Sequence, residues 1–259
     1  MYIVSLPQVP RWVTDGSIIG SSPALGVRPA QSDELIDSAM ITFHPGQAES
    51  AGAVAGWKEW ADRMDTFLEA YKGSEGVDCS SGAPGPEEFC KFPVSSLGPC
   101  GKGRYGYDKG KPCVVLKLNK IYGLEPGYYN NTAVLPDYVP DRVRQTISSL
   151  KGEARNQVWV DCQPENAADR EGFGEIRYFP ASAGFPSQYY PYMNQDGYLG
   201  PLIAVQFQNP TAGQLIHVEC RAYAENIKYD KRHNIGRAHF EVLIHNEATA
   251  AAVNRGNQE

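Results

Sequence analysis

Between Glu49 and Lys72 the apolar positions Val54, Trp57, Ala61, Met64, Phe67, Leu68 and Tyr71 recur at steps of three and four, which places one stripe along a helix. An amphipathic helix that packs Trp57 and Phe67 on a sheet needs no functional explanation. Upstream, residues 5–44 keep neither a helical nor a strand period. Pro7, Pro10, Pro23 and Pro29 recur there with Gly16, Gly20 and Gly26, so residues 1–44 read as an extended stalk. After Cys113 the period changes to two, the mark of strands. Val158, Val160 and Cys162 share one face, and Ile216, Val218 and Cys220 share one face of Leu215 to Ala222. Leu202 to Gln208 and His239 to His245 are further strands; the last buries Phe240, Val242 and Ile244 and turns His239, Glu241 and His245 outward. Antiparallel sheets with one wet face give this alternation, so a mainly β sandwich with one helix is expected over 45–247, followed by a tail at 248–259.

Cys79, Cys90, Cys100, Cys113, Cys162 and Cys220 make an even set of six, for which 15 connectivities exist. Four of them lie in or at the edge of a Gly-, Pro- and Ser-rich stretch between Tyr71 and Cys113, where staples would replace a core. Neighbour pairing there would close short loops worth about 3 kcal/mol each. The inward phase of Cys162 and Cys220 suits a bridge across a packed interior, on the order of 4 kcal/mol for a loop of this length. Zinc is the competing use, but no paired C-x2-C spacing exists and His44 and His217 are remote. No metal ligand set is assigned.

An oxidised set of cysteines fits an extracellular address, and the sequon Asn130-Asn131-Thr132 marks Asn130 as a glycan acceptor. The start, Met1 to Pro7, has neither a charged leader nor a full apolar core. The expectation is a chain truncated at its N-terminus, its membrane helix missing. Of 259 residues, 24 are Lys or Arg and 30 are Asp or Glu, for a net charge of −6, so nucleic acid is not an expected partner.

No catalytic constellation stands out. Gly101 to Gly106 follows a cysteine loop rather than a strand, and no Gly-Lys-Ser/Thr opens a helix after it. Gly16-Ser17-Ile18-Ile19-Gly20 is not a nucleophile elbow, and the five His form neither a metal helix nor a close pair. Aromatic density is the remaining signal: Tyr189, Tyr190, Pro191, Tyr192 and Tyr198 lie between Gly184 and Gly200. Held on a rigid loop they suit protein contact; the alternative is that they fill the space beneath a crossover.

Several segments together resemble one family. They are Tyr105-Gly106-Tyr107 with Gly110-Lys111-Pro112-Cys113-Val114-Val115-Leu116-Lys117-Leu118-Asn119-Lys120, the Tyr189 to Tyr192 run with Pro201-Leu202-Ile203-Ala204-Val205-Gln206-Phe207, Glu219 to Ile227, and Gly236 to Val242. These are similar to the β-subunit of the sodium/potassium-transporting ATPase, and Ile18 to Pro29 resembles invertebrate members. The resemblance implies an immunoglobulin-like antiparallel sandwich outside the cell, a type II plasma-membrane protein anchored by a single helix absent from this chain, and a catalytic α-subunit as partner. It implies no cofactor. It also implies a non-catalytic role in the folding, assembly and delivery of α and in tuning potassium affinity, and the pairing of Cys79 with Cys90, Cys100 with Cys113 and Cys162 with Cys220. The β-subunit of a proton/potassium pump looks alike at these motifs, and an adhesion module is the alternative from another class. Pro210 blocks the sequon at Asn209, which leaves Asn130 alone.

Overall fold

A computed structural model of the chain describes residues 22–30, 40–50, 54–80, 82–85, 87–131 and 135–246. Most of the expected stalk and the tail at 248–259 lie outside the described residues.

The molecule is mainly β. One sheet has the order β1 (Leu25–Arg28), β3 (Cys113–Leu118), β7 (Leu202–Phe207), β5 (Ile176–Phe179), and the other β2 (Met40–Phe43), β9 (Arg237–Ile244), β8 (Leu215–Tyr223), β4 (Gln157–Pro164), β6 (Gly184–Pro186). The sheets pack face to face through one continuous apolar core, in which Phe207 of the first meets Phe240 of the second edge-on at 6.3 Å. Every ladder is antiparallel except β2 with β9, which is parallel, so the second sheet is mixed rather than purely antiparallel as expected. Both β1 and β2 come from the segment read as a stalk without strands. Four residues are too few to display an alternation; what recruits them is pairing with the long strands β3 and β9.

The helix expected near 49–72 starts later, running from Trp57 to Lys72 (α1), and it buries Trp60, Ala61, Met64, Leu68 and Tyr71 while Trp57 and Phe67 are half-buried, because the chain before Trp57 pairs as bridges beside β2. Its anchors are polar as well as apolar: the Trp60 indole donates to the Thr42 carbonyl at 2.8 Å, and the Tyr105 hydroxyl to Asp65 at 2.6 Å. Trp60 stacks on Tyr107, which in turn meets Phe43 of β2. Gly106 is required in that turn. Its φ is +74°, and an added Cβ would stand 2.0 Å from the Lys111 carbonyl oxygen.

A second helix, α2 (Asp141–Ser149), was not read from the sequence. It lays Val143 and Ile147 over Trp159 and Tyr223 and so covers one end of the outer face of β4 and β8. Consequently Val158 to Cys162 are buried on both faces. In β3 likewise, Cys113 to Leu116 form a buried run rather than an alternation.

The disulfides are Cys79–Cys90, Cys100–Cys113 and Cys162–Cys220. The third departs from the expected geometry. Cys162 and Cys220 are register partners on neighbouring strands β4 and β8, so this bridge lies within one sheet instead of crossing the interior.

Candidate partner-binding surface

The five aromatic-loop positions lie between β6 and β7, and the structure gathers their rings inward. Tyr189, Tyr192 and Tyr198 are buried. Tyr189 packs against Phe92 at 6.2 Å and its hydroxyl donates to the Lys91 carbonyl. Tyr198 donates to the Tyr189 carbonyl at 2.8 Å, and its ring meets Tyr192 at 4.8 Å and Phe89 at 6.0 Å. The Lys120 ammonium stands over the rings of Tyr192 and Tyr198, at 5.4 and 5.5 Å. Burial lowers the Lys120 pKa and raises the Tyr189 hydroxyl to about 12. Thus the rings fill the space beneath the crossover, the alternative that composition left open.

What the loop presents outward is its backbone and the side chains between the tyrosines. Gln188 and Met193 are exposed, Met193 at 39 %. The loop faces the segment closed by Cys79–Cys90, which is clamped by Val77 donating to the Phe89 carbonyl and Lys91 donating to that of Val77. Between them runs a cleft of about 1020 Å³ lined by Pro84, Glu88, Pro186, Gln188, Tyr190 and Met193. A mixed polar and apolar concavity of this kind suits a protein loop. Phe89 and Lys120 belong to this site and were missed in the sequence; Lys120 had only a position in a motif, and Phe89 sits in the disulfide loop without any period.

The outer face of β8 and β9 carries a second cluster. Arg237, 3 % exposed, lies against Glu165 at 3.3 Å and Glu219 at 3.1 Å. Lys231 reaches Glu165 at 2.7 Å, and His239 also pairs with Glu165. His217 pairs with Asp169 at 3.1 Å, and Glu241 stands between the two imidazoles at 3.6 and 3.7 Å. The alternation that put His239 and Glu241 outward located these residues; Glu165 and Asp169 come from the turn after β4, which no sequence period links to them. At the far end Arg142 of α2 holds Asp161 at 2.5 Å. Among the described residues no group of three His, Cys, Asp or Glu is placed to hold a metal ion. These charged groups pair with one another, and such a network fixes strands and loops. Asn130 is exposed, and Thr132 of its sequon lies outside the described residues.

Two packed sheets stapled by three bridges define a class, that of disulfide-stapled β-sandwich domains. The family model of the sodium/potassium ATPase beta chain matches residues 1–240, and the chain belongs to that family. Its relatives include two Drosophila melanogaster proteins, sodium/potassium-transporting ATPase subunits beta-2 and beta-1. Beta-2 is 40 % identical over 251 residues, covering 92 % of this chain and 76 % of the relative. Beta-1 is 40 % identical over 243 residues, covering 91 % and 75 %. A probable subunit beta-3 of Caenorhabditis briggsae is 30 % identical over 257 residues, covering 95 % and 73 %. The family is one of accessory subunits, not of catalytic ones. Among the described residues no helix is long and apolar enough to cross a membrane.

Proposed function

We propose that this chain is a type II plasma-membrane β-subunit whose sandwich lies outside the cell and that assembles with the catalytic α-subunit of a sodium/potassium pump. The observation that carries the reading is the family match over residues 1–240 together with 40 % identity to two sodium/potassium-transporting subunits. In this role it helps α to fold and reach the plasma membrane and biases potassium affinity. A non-catalytic domain does so only by binding the two transport states differently. The cleft between the Cys79–Cys90 loop and the Tyr189 to Tyr198 loop is the docking surface we assign. Because the Tyr189, Tyr192 and Tyr198 rings are buried, their removal would damage the loop itself, so exposed positions test docking. Asn130 carries the glycan.

The experiment is detergent co-purification of the chain with a P-type α-subunit expressed in the same cells. An equal amount of α in the purified complex is expected. Absence of α from a folded, disulfide-bonded chain overturns the reading and moves the weight to an adhesion module. Met193→Asp and Gln188→Arg are expected to reduce the recovered α and to shift potassium affinity while leaving thermal unfolding unchanged. Asn130→Gln is expected to abolish the mobility shift produced by glycosidase.

A further inference from the structure

Strand β2 is an edge strand of four residues, Met40 to Phe43 paired with Glu241 to Ile244, and so one of the two short edge ladders of its sheet. Its far end is closed by histidines. His245 donates its backbone N–H to the Phe43 carbonyl at 2.9 Å, and His44 donates to the Ala55 carbonyl at 3.1 Å. The two imidazoles lie together, centroids 4.7 Å apart and planes tilted by 43°, with His44 buried. His245 Nε2 is 2.9 Å from the Thr42 hydroxyl. The same residue, Thr42, gives its carbonyl to Trp60 of α1.

This pair differs from His217 and His239, which are surrounded by Asp169, Glu165 and Glu241. Among the described residues, Thr42 on β2, the Pro45 to Gln47 turn, Ala55 and Gly56 before α1, and Gly213 and Asn246 beyond the strand are not titratable, and the Tyr107 to Gly110 turn that meets Pro45 and Ile244 carries Lys109 and Asp108, the latter paired with Arg104. The charged groups next along are committed elsewhere: Glu241 of β9 stands between His217 and His239, and Glu49 pairs with Lys58. A proton on one ring therefore meets the second ring, and among the described residues no carboxylate pairs with either. An unprotonated Nε2 accepts from the Thr42 hydroxyl; a protonated one must donate, and the hydroxyl has to turn.

We propose that the His44–His245 stack is an acid-released latch, in which proton uptake at the stack loosens β2 from β9 and with it the Thr42 anchor of α1. Burial, and then the neighbouring His44, hold the His245 pKa below the usual imidazole range. A base whose folded pKa is depressed contributes stability that is present above its unfolded pKa and lost as pH falls through the folded pKa. The release therefore comes on acidification.

The test is amide hydrogen exchange of Ile41 and Phe43, corrected for intrinsic rates and followed from neutral to mildly acid pH in the unaltered protein. Selective loss of protection in these amides, with those of β8 retained, is expected. His245→Gln keeps a partner for Thr42 and does not titrate, so its protection should no longer depend on pH. Protection that is independent of pH in the unaltered chain, or that falls equally in His245→Gln, overturns the proposal. The NMR titration of the His245 ring in the unaltered chain decides the matter if the variant does not fold: a midpoint at or above that of free imidazole overturns it too.

Discussion

Tyr190 and Tyr198 bring two phenol hydroxyls into one interior, and only one is satisfied. Tyr198 donates to the Tyr189 carbonyl at 2.8 Å, whereas the buried Tyr190 hydroxyl has no hydrogen-bond partner among the described residues. Burial raises the pKa of both, with neighbouring tyrosines adding to it, so both are neutral donors at physiological pH. Removing a bonded group leaves its partner unpaired, but removing an orphan removes a penalty. Tyr198→Phe is accordingly expected to lower unfolding stability by about 1–2 kcal/mol, and Tyr190→Phe to leave it unchanged or raise it by about 1 kcal/mol, as read by urea denaturation. The sequence displayed this cluster as a density of aromatics between Gly and Pro residues but could not say which way the rings turn. That depends on Phe89, Phe92 and Lys120, which arrive from distant segments.

At the scale of elements, legibility followed length and period. α1 and the strands β4, β7, β8 and β9 each carry enough turns or alternations to be seen. α2 has only Val143 and Ile147 on its buried side, and β1 and β2 are four residues each, so their placement is a product of tertiary pairing. Strand phase located Cys162 and Cys220 on inward faces, but phase cannot separate a bridge between sheets from one between neighbouring strands; register does that, and it makes them direct partners. The three bridges close loops of unequal length, with separations of 11, 13 and 58 residues. If chain entropy dominates, removing Cys162–Cys220 by paired Ala substitution costs about 4 kcal/mol and removing either short bridge about 3 kcal/mol. Denaturant midpoints of the three double variants check that order. A midpoint for the Cys162 and Cys220 variant above those of the others would show that β4–β8 pairing already constrains the denatured chain.

Across the whole molecule, acid should act in two stages that fall at different places. Proton uptake by His245 falls below the usual imidazole range and touches only the edge strand. The outer face of β8 and β9 responds lower. Burial pushes the Glu165 carboxyl up, but Lys231, His239 and Arg237 together outweigh it, and its pKa lies below the usual range. Asp169 is lowered in the same way, burial being outweighed by the His217 and Asn166 donors. For carboxyls with depressed folded pKa, the contribution to stability is present above the unfolded pKa and lost as pH falls through the folded one. Global unfolding is therefore expected only in the carboxylate range, after β2 has loosened, and near-ultraviolet circular dichroism followed alongside exchange at β2 should show two separate midpoints. Glu165→Gln should weaken the lower transition specifically, because Arg237 would keep Glu219 as its remaining carboxylate. Its effect at neutral pH should stay below the roughly 3–5 kcal/mol of a wholly buried broken pair, since Lys231 and His239 on the same carboxylate are open to water. A single acid transition shared by β2 and the core would mean that the edge strand is not an independent unit, and the ionic face would then have to carry the whole response.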